Sequence, residues 1–253
     1  MQINRQAPVL VTGSAGRVGR AAVRALVKAG WLVRGFDRVP TPGATDFVVG
    51  DLTDFEALQK AARGVEALIH FGATPDDDDF MSRLVPNNFV GLHHTLEAAR
   101  LAGVKRILLA STGQVNWWQQ IEGPWPNRPS DPITPRHWYA ITKVAAEAAG
   151  KVYARDCNMT VLALRLGWLP RTREQVAEIA ATPRAHEIYL SPGDAGRFVI
   201  RALEADLPAG FWTIFVASRP LRQTIFDLEP TKELLGWEPA DQWPVGAEED
   251  VAS

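Results

Sequence analysis

The sequence predicts an α/β fold, an open and doubly wound parallel sheet followed by a small lobe, and three observations predict it. Apolar runs recur along the chain, each followed by a stretch with helical spacing, the pattern of strands joined by crossover helices. The first run, Val9-Leu10-Val11, enters a turn with glycines at Gly13, Gly16 and Gly19 and leaves as a helix. That spacing lets the backbone turn tightly and a pyrophosphate approach it, with the helix N–H groups facing the anion. The second strand then ends on a carboxylate, Asp37. Together these features describe a Rossmann-type, nucleotide-binding core.

Composition bounds the rest. A chain of 253 residues fits a core over residues 1–165 and a dependent small lobe over 166–253. A net charge of −2 gives no broad electrostatic case for nucleic acid or an anionic membrane. The single cysteine, Cys157, allows no disulfide framework and fits a reducing compartment, so a cytoplasmic protein is expected. The start, Met1 to Gln6, has no apolar core of signal-peptide length, and no later stretch is apolar for long enough to span a bilayer.

Taken in order, Val18, Ala21, Ala22, Ala25, Leu26 and Ala29 recur at helical spacing, and Gly30 stands where the helix should end. Leu32 to Asp37 reads as the second strand. Its terminal carboxylate can accept hydrogen bonds from adenosine ribose hydroxyls, which favours NAD. Arg38, and Arg17 in the glycine turn, could instead hold a 2′-phosphate, so NADP is the less favoured alternative. Phe47-Val48-Val49 reads as the third strand, with Asp51 after it in reach of an adenine amino group, and a helix ends near Gly64. Val65 to Phe71 is the fourth strand, and Gly72-Ala73 lets its exit pass close to a ligand. His70 reads as a packed or hydrogen-bonded residue.

The four carboxylates from Asp76 to Asp79 read as a solvated capping loop, because adjacent aspartates make a poor metal cage, and no metal is expected. A long helix should run from Phe80 through Asn88, Leu92, Leu96 and Ala99 to Gly103. Val104 to Ala110 is the fifth strand, ending at Ser111-Thr112. From Gly113 to Arg136 the chain is rich in Trp, Pro and Gly without a period, and irregular chain of that length is usually functional. His137 opens a helix that places Tyr139 and Lys143 on one face. Thr160 to Arg165 is the sixth strand. Beyond it, Ser191-Pro192 starts a helix, Phe211 to Ala217 reads as a late strand, Glu229 to Leu235 as a short helix and Gly246 to Ser253 as a frayed acidic tail. Of nine tryptophans, Trp117, Trp118, Trp125, Trp138 and Trp168 fall near these segments, where they pack the long loop or stack on a ligand.

The glycine turn, Asp37, Asp51, Ser111-Thr112 and Tyr139-x-x-x-Lys143, in this order from Pro8 to Leu166, resemble the extended short-chain dehydrogenase/reductase family, also called the NAD-dependent epimerase/dehydratase family. The resemblance implies hydride transfer between an alcohol and NAD. Tyr139 would take the O–H proton, and Lys143 would hold the nicotinamide ribose and favour the phenolate. Thr112, rather than Ser111, would hydrogen-bond the reacting oxygen, because the family places the catalytic hydroxyl second in this pair. The implied cofactor contacts are Gly13, Ala15, Gly16, Arg17, Val18, Gly19, Asp37, Arg38, Asp51, Leu52, Phe71, Gly72, Ala73, Asn88, Tyr139, Lys143 and Leu166. A homodimer through the helices near Leu92 and Ala146 is implied as well.

Within the family, dehydratases carry Asp-Glu after the catalytic threonine, where this chain has Gly113-Gln114, so dehydration is not expected. The lobe is too small for a nucleotide sugar, which leaves a small substrate. His70-Phe71-Gly72-Ala73, Arg165-Leu166-Gly167 and Tyr189-Leu190-Ser191 resemble the uronate dehydrogenase branch. That branch implies Arg184, seven residues before Ser191, as a carboxylate clamp. It also implies substrate contacts at Pro75, Gly113, Gln114 and Trp168, where this chain departs from the branch's usual serine, Asn-His and small residue. The expected activity is NAD-dependent oxidation of a sugar or sugar acid. An epimerase using the same residues and a non-catalytic NAD(P) sensor are the alternatives, and the presence of both Tyr139 and Lys143 weighs against the sensor.

Overall fold

The computed structural model describes residues 2–251. Its sheet is built from β1 (Val9–Thr12), β2 (Val33–Asp37), β3 (Asp46–Val49), β4 (Ala67–His70), β5 (Arg106–Thr112), β6 (Thr160–Leu166) and β7 (Gly210–Val216). All neighbours pair in parallel, in the order β3-β2-β1-β4-β5-β6-β7. The chain therefore winds outward from β1 in both directions. The crevice at the carboxyl ends of β1 and β4 is the switch point where such sheets bind ligands.

The central strands are apolar because both faces are covered. Val9 and Val11 face one core cluster with Leu26, Phe198 and Leu203; Leu10 faces the other, with Leu68, Leu96, Ile107 and Leu109. The first face is closed by α1 (Arg17–Lys28) and α6 (Pro192–Glu204), and the second by α2 (Phe55–Ala62), α3 (Gly91–Leu101) and α5 (Trp138–Asp156). The late strand β7 lies on the edge beside β6, so the segment after Arg165 completes the same sheet.

Three segments differ from the sequence reading. The long helix expected from Phe80 begins as a wide π-helical stretch, Phe80–Val90, before α3. Pro86 inside it has no N–H for a regular ladder, and the carbonyls of Asp79 and Pro86 are reached from five residues on, by Leu84 and Gly91. The irregular stretch after β5 contains a 3₁₀ turn, Gly113–Val115, and α4 (Trp117–Glu122). The tail is docked rather than frayed. Arg17 donates to the carbonyls of Gly246 and Ala247 at 3.1 and 3.0 Å, Arg20 to that of Asp250 at 2.8 Å, and Arg24 pairs with the Asp250 carboxylate. These arginines follow one another along one face of α1, which supplies the donors that hold the tail. Residues 252 and 253 of that tail lie outside the described residues.

Candidate active site

A cleft of about 1100 Å³ runs along the carboxyl edge of the sheet. One end is floored by the turn between β1 and α1. Gly13 has φ +66°, and a Cβ there would lie 2.5 Å from the Gly72 nitrogen; at Gly19 it would lie 2.1 Å from the Gly13 carbonyl oxygen. Only glycine lets these backbones meet. No side chain caps α1 at Gly16, so the N–H groups of its first turn stay available to an anion. At the end of β2 the Asp37 carboxylate accepts from Ala15 N at 3.0 Å and Arg38 N at 2.7 Å, and it lines the cleft. Glycine cradle, free helix start and carboxylate fit the pyrophosphate and ribose of NAD.

The other end gathers Thr112 from β5 with Tyr139 and Lys143 from α5. His137 caps that helix, its Nδ1 accepting from Ala140 N, so both residues sit one turn apart on the face turned to the cleft. The Lys143 ammonium is 5.7 Å from the Tyr139 ring centroid. Desolvation pushes Lys143 down to about 8. It pushes the Tyr139 phenol up, reinforced by the Asp76 carboxylate and opposed by the Arg171 guanidinium and a hydrogen bond with Thr112. The proximity of Lys143 is thus as expected, while burial works against the phenolate it was expected to favour.

Most of the expected contacts line this one cleft: the glycine turn, Ala15, Val18, Arg38, Asp51, Leu52, Phe71, Gly72, Ala73, Pro75, Gly113, Gln114, Leu166 and Trp168 all do. Two do not. Asn88 is buried, accepting from Thr74 N at 2.7 Å and donating to Thr74 O and Thr142 Oγ1, and its neighbour Asn87 lines the cleft instead. Arg184 donates to the carbonyls of Gln120 and Ile121 and lies 4.8 Å over the Trp125 ring, outside the cleft lining. Arg17 reaches the cleft wall, yet its guanidinium is taken by the carbonyls of Pro170, Gly246 and Ala247, which leaves Arg38 alone to meet a 2′-phosphate. His70 is packed as expected, 2.7 Å from Thr12 Oγ1, and desolvation holds it neutral with its pKa lowered to about 3. No cluster of potential metal ligands occurs among the described residues.

Several residues of this end escaped the sequence reading. Arg171, which lines the cleft, pairs with Asp76, and Gln175 donates to the same carboxylate at 3.3 Å. Arg136 also lines it, 4.5 Å over the Trp117 ring. Behind the site lies a buried network. Arg165 forks onto Glu147 through two 2.9 Å bonds, Ser111 donates to Glu147 at 2.6 Å, and Arg165 also reaches Asn116 Oδ1 and Pro129 O. Asn116 in turn donates to Pro132 O at 2.7 Å, so the network seats the long loop. An arginine inside the apolar strand Thr160–Leu166 was the available signal.

Comparison with known proteins agrees with this geometry. Residues 9–169 match the model of the NAD dependent epimerase/dehydratase family. The chain is 32% identical to an L-arabinose 1-dehydrogenase (NAD(P)(+)) of Haloferax volcanii, over 93% of this chain and 97% of that protein. It is 30% identical to a uronate dehydrogenase of Pseudomonas putida, over 63% of this chain and 60% of that one. A crystal structure of a glucuronic acid dehydrogenase from Chromohalobacter salexigens superposes with a TM-score of 0.76 at 25% identity, covering 96% of this chain and 88% of that one. On its fold, its cleft and these matches, the chain belongs to the NAD-dependent epimerase/dehydratase family of extended short-chain dehydrogenases/reductases.

Proposed function

We propose that this chain oxidises a hydroxyl of a small sugar or sugar acid. The observation that carries the reading is the convergence of Thr112, Tyr139 and Lys143 at one end of a cleft whose other end fits NAD. Bound in this cleft, NAD would supply the acceptor for a hydride from the carbinol carbon. With the positive charges of the nicotinamide and Lys143 offsetting the cost of burial, Tyr139 acts as the phenolate and takes the O–H proton of that carbinol, which must leave as the C–H bond breaks. Thr112, hydrogen-bonded toward Tyr139, orients the reacting oxygen, and Lys143 places a cation beside the phenol and would hold the nicotinamide ribose. The backbone of Gly13 to Gly19 and the Asp37 carboxylate would hold the pyrophosphate and the adenosine ribose. Asp37 repels a 2′-phosphate, so NAD is preferred to NADP.

The printed activities of the relatives support a free sugar or sugar acid as substrate. Gly113 and Gln114 supply no acid and base pair for elimination. The segment 166–253 acts as the substrate lobe on the core of residues 1–165, through Trp168 and Arg171 on the cleft wall. The exposed apolar side chains of Met81, Val90, Trp138 and Ile141, on and before α3 and α5, support a homodimer through these helices. Light scattering should give twice the chain mass of 27.8 kDa, and a single-chain mass would refute the dimer. No helix among the described residues is long and apolar enough to cross a membrane, and the lone Cys157, a free thiol, supports a cytoplasmic location.

Absorbance of NADH, on mixing the protein with NAD and a panel of sugar acids and neutral aldoses, tests the reading. Net NADH from at least one of them is expected. A rearranged sugar with no net NADH would replace the dehydrogenase by an epimerase, since the hydride would have been returned.

A further inference from the structure

The arginine that the branch resemblance names as the anion clamp, Arg184, is bound to the carbonyls of Gln120 and Ile121 and does not line the cleft, and the wall offers another. Arg17 is bound to three carbonyls, Arg171 to Asp76, and Arg38 stands beside Asp37 at the adenosine end. Arg136 is differently placed. It is exposed, three residues before Tyr139, with its guanidinium carbon 4.5 Å from the Trp117 ring centroid, and both side chains line the cleft. Among the described residues, no carboxylate lies within ion-pair distance of it. The nearby acidic wall residues are engaged: Asp76 by Arg171 and Gln175, and Asp77 by the Tyr139 N–H at 3.4 Å, with His137 Nδ1 3.8 Å away. An indole under a guanidinium holds its plane while leaving the N–H edge free for a forked bond to an oxyanion.

We propose that Arg136, held on Trp117, receives an oxyanion carried by the substrate: the carboxylate of a sugar acid or the phosphate of a sugar phosphate. The sugar itself rests on the dehydrogenase reading above; the oxyanion site is an addition to it. Trp117 belongs to the loop seated by Asn116 and the buried Arg165, so the recognition platform is built by that loop and by the start of α5.

Calorimetric titration of the NAD-loaded protein with D-glucuronate, D-glucose 6-phosphate and D-glucose tests the site. The wild type should bind at least one of the charged sugars about tenfold or more tighter than glucose, the scale of a charge-assisted bond. Preference for glucuronate alone assigns a carboxylate, and preference for the phosphate ester alone a phosphoryl group. Arg136→Gln should bring charged and neutral sugars to within about twofold of each other, and Arg136→Lys should keep part of the preference, since it keeps the charge and loses the fork. Arg184→Gln should leave the preference intact. A preference that survives Arg136→Gln, equal binding of all three sugars by the wild type, or no binding of any, overturns the proposal. NADH read in the same samples separates the two ideas. An Arg136-dependent preference without NADH keeps the oxyanion site and removes the dehydrogenase, while NADH without any preference does the reverse.

Discussion

Tyr139→Phe is expected to lower turnover by about 10²–10⁴-fold, the usual contribution of a positioned proton acceptor, while NAD affinity stays within about twofold. The substitution removes one oxygen. The ring remains to pack beside Lys143 and against His137, whose centroid is 6.0 Å away, so the shape of the cleft is kept. The groups fitted to the cofactor's pyrophosphate and adenosine ribose, from Gly13 to Gly19 and at Asp37, stand on the turn between β1 and α1, the start of α1 and the end of β2. Steady-state rates and cofactor titration by fluorescence measure the two quantities separately. Turnover near the wild-type rate would remove Tyr139 from the chemistry.

Glu147→Gln should have the largest effect on stability. The Arg165–Glu147 pair is almost wholly shielded, with 3% and 6% of the side chains exposed. Removing the carboxylate charge strands a guanidinium in the interior, which costs about 3–5 kcal/mol. For a chain of this length that corresponds to a fall in Tm on the order of 10 °C. The double variant Glu147→Leu, Arg165→Met should recover much of the loss, because an apolar pair of similar volume removes the stranded charge. It should nevertheless turn over slowly, since Asn116 and the Pro129 carbonyl lose the arginine that seats the 113–136 loop. Thermal melts of the three proteins beside their rates check this. A single variant as stable as the wild type would show that the pair carries little.

Strands were the most legible part of the sequence, because those covered on both faces must be almost continuously apolar and then stop. Val9-Leu10-Val11 and the run ending at Ser111-Thr112 show this directly. Tyr139 and Lys143 were legible because helical spacing alone puts them on one face. The orientation of neighbouring residues on a distorted helix was not. Asn88 rather than Asn87 was expected in the cleft, and the choice is made by the wide turns around Pro86, which no regular period describes. The substrate arginine failed for a different reason. Counting positions back from Ser191 locates Arg184 along the chain, but its direction depends on the carbonyls of Gln120 and Ile121, from a helix about 60 residues earlier. The docked tail was hidden in the same way. Arg17 reads as a residue of the glycine turn, and nothing in the sequence links it, Arg20 or Arg24 to their partners more than 200 residues on, the carbonyls of Gly246, Ala247 and Asp250 and the Asp250 carboxylate.

The central claim is that a hydride passes from a sugar carbinol to NAD while Tyr139 takes the proton. It is tested most directly with a sugar from the active part of the panel carrying deuterium on the carbon that is oxidised, followed by mass analysis of the reduced cofactor. One deuterium in each molecule of NADH, with at most about a hundredth as much formed by Tyr139→Phe over the same interval, is the predicted result. Unlabelled NADH, or a rearranged sugar that keeps its deuterium with no net NADH, would contradict it.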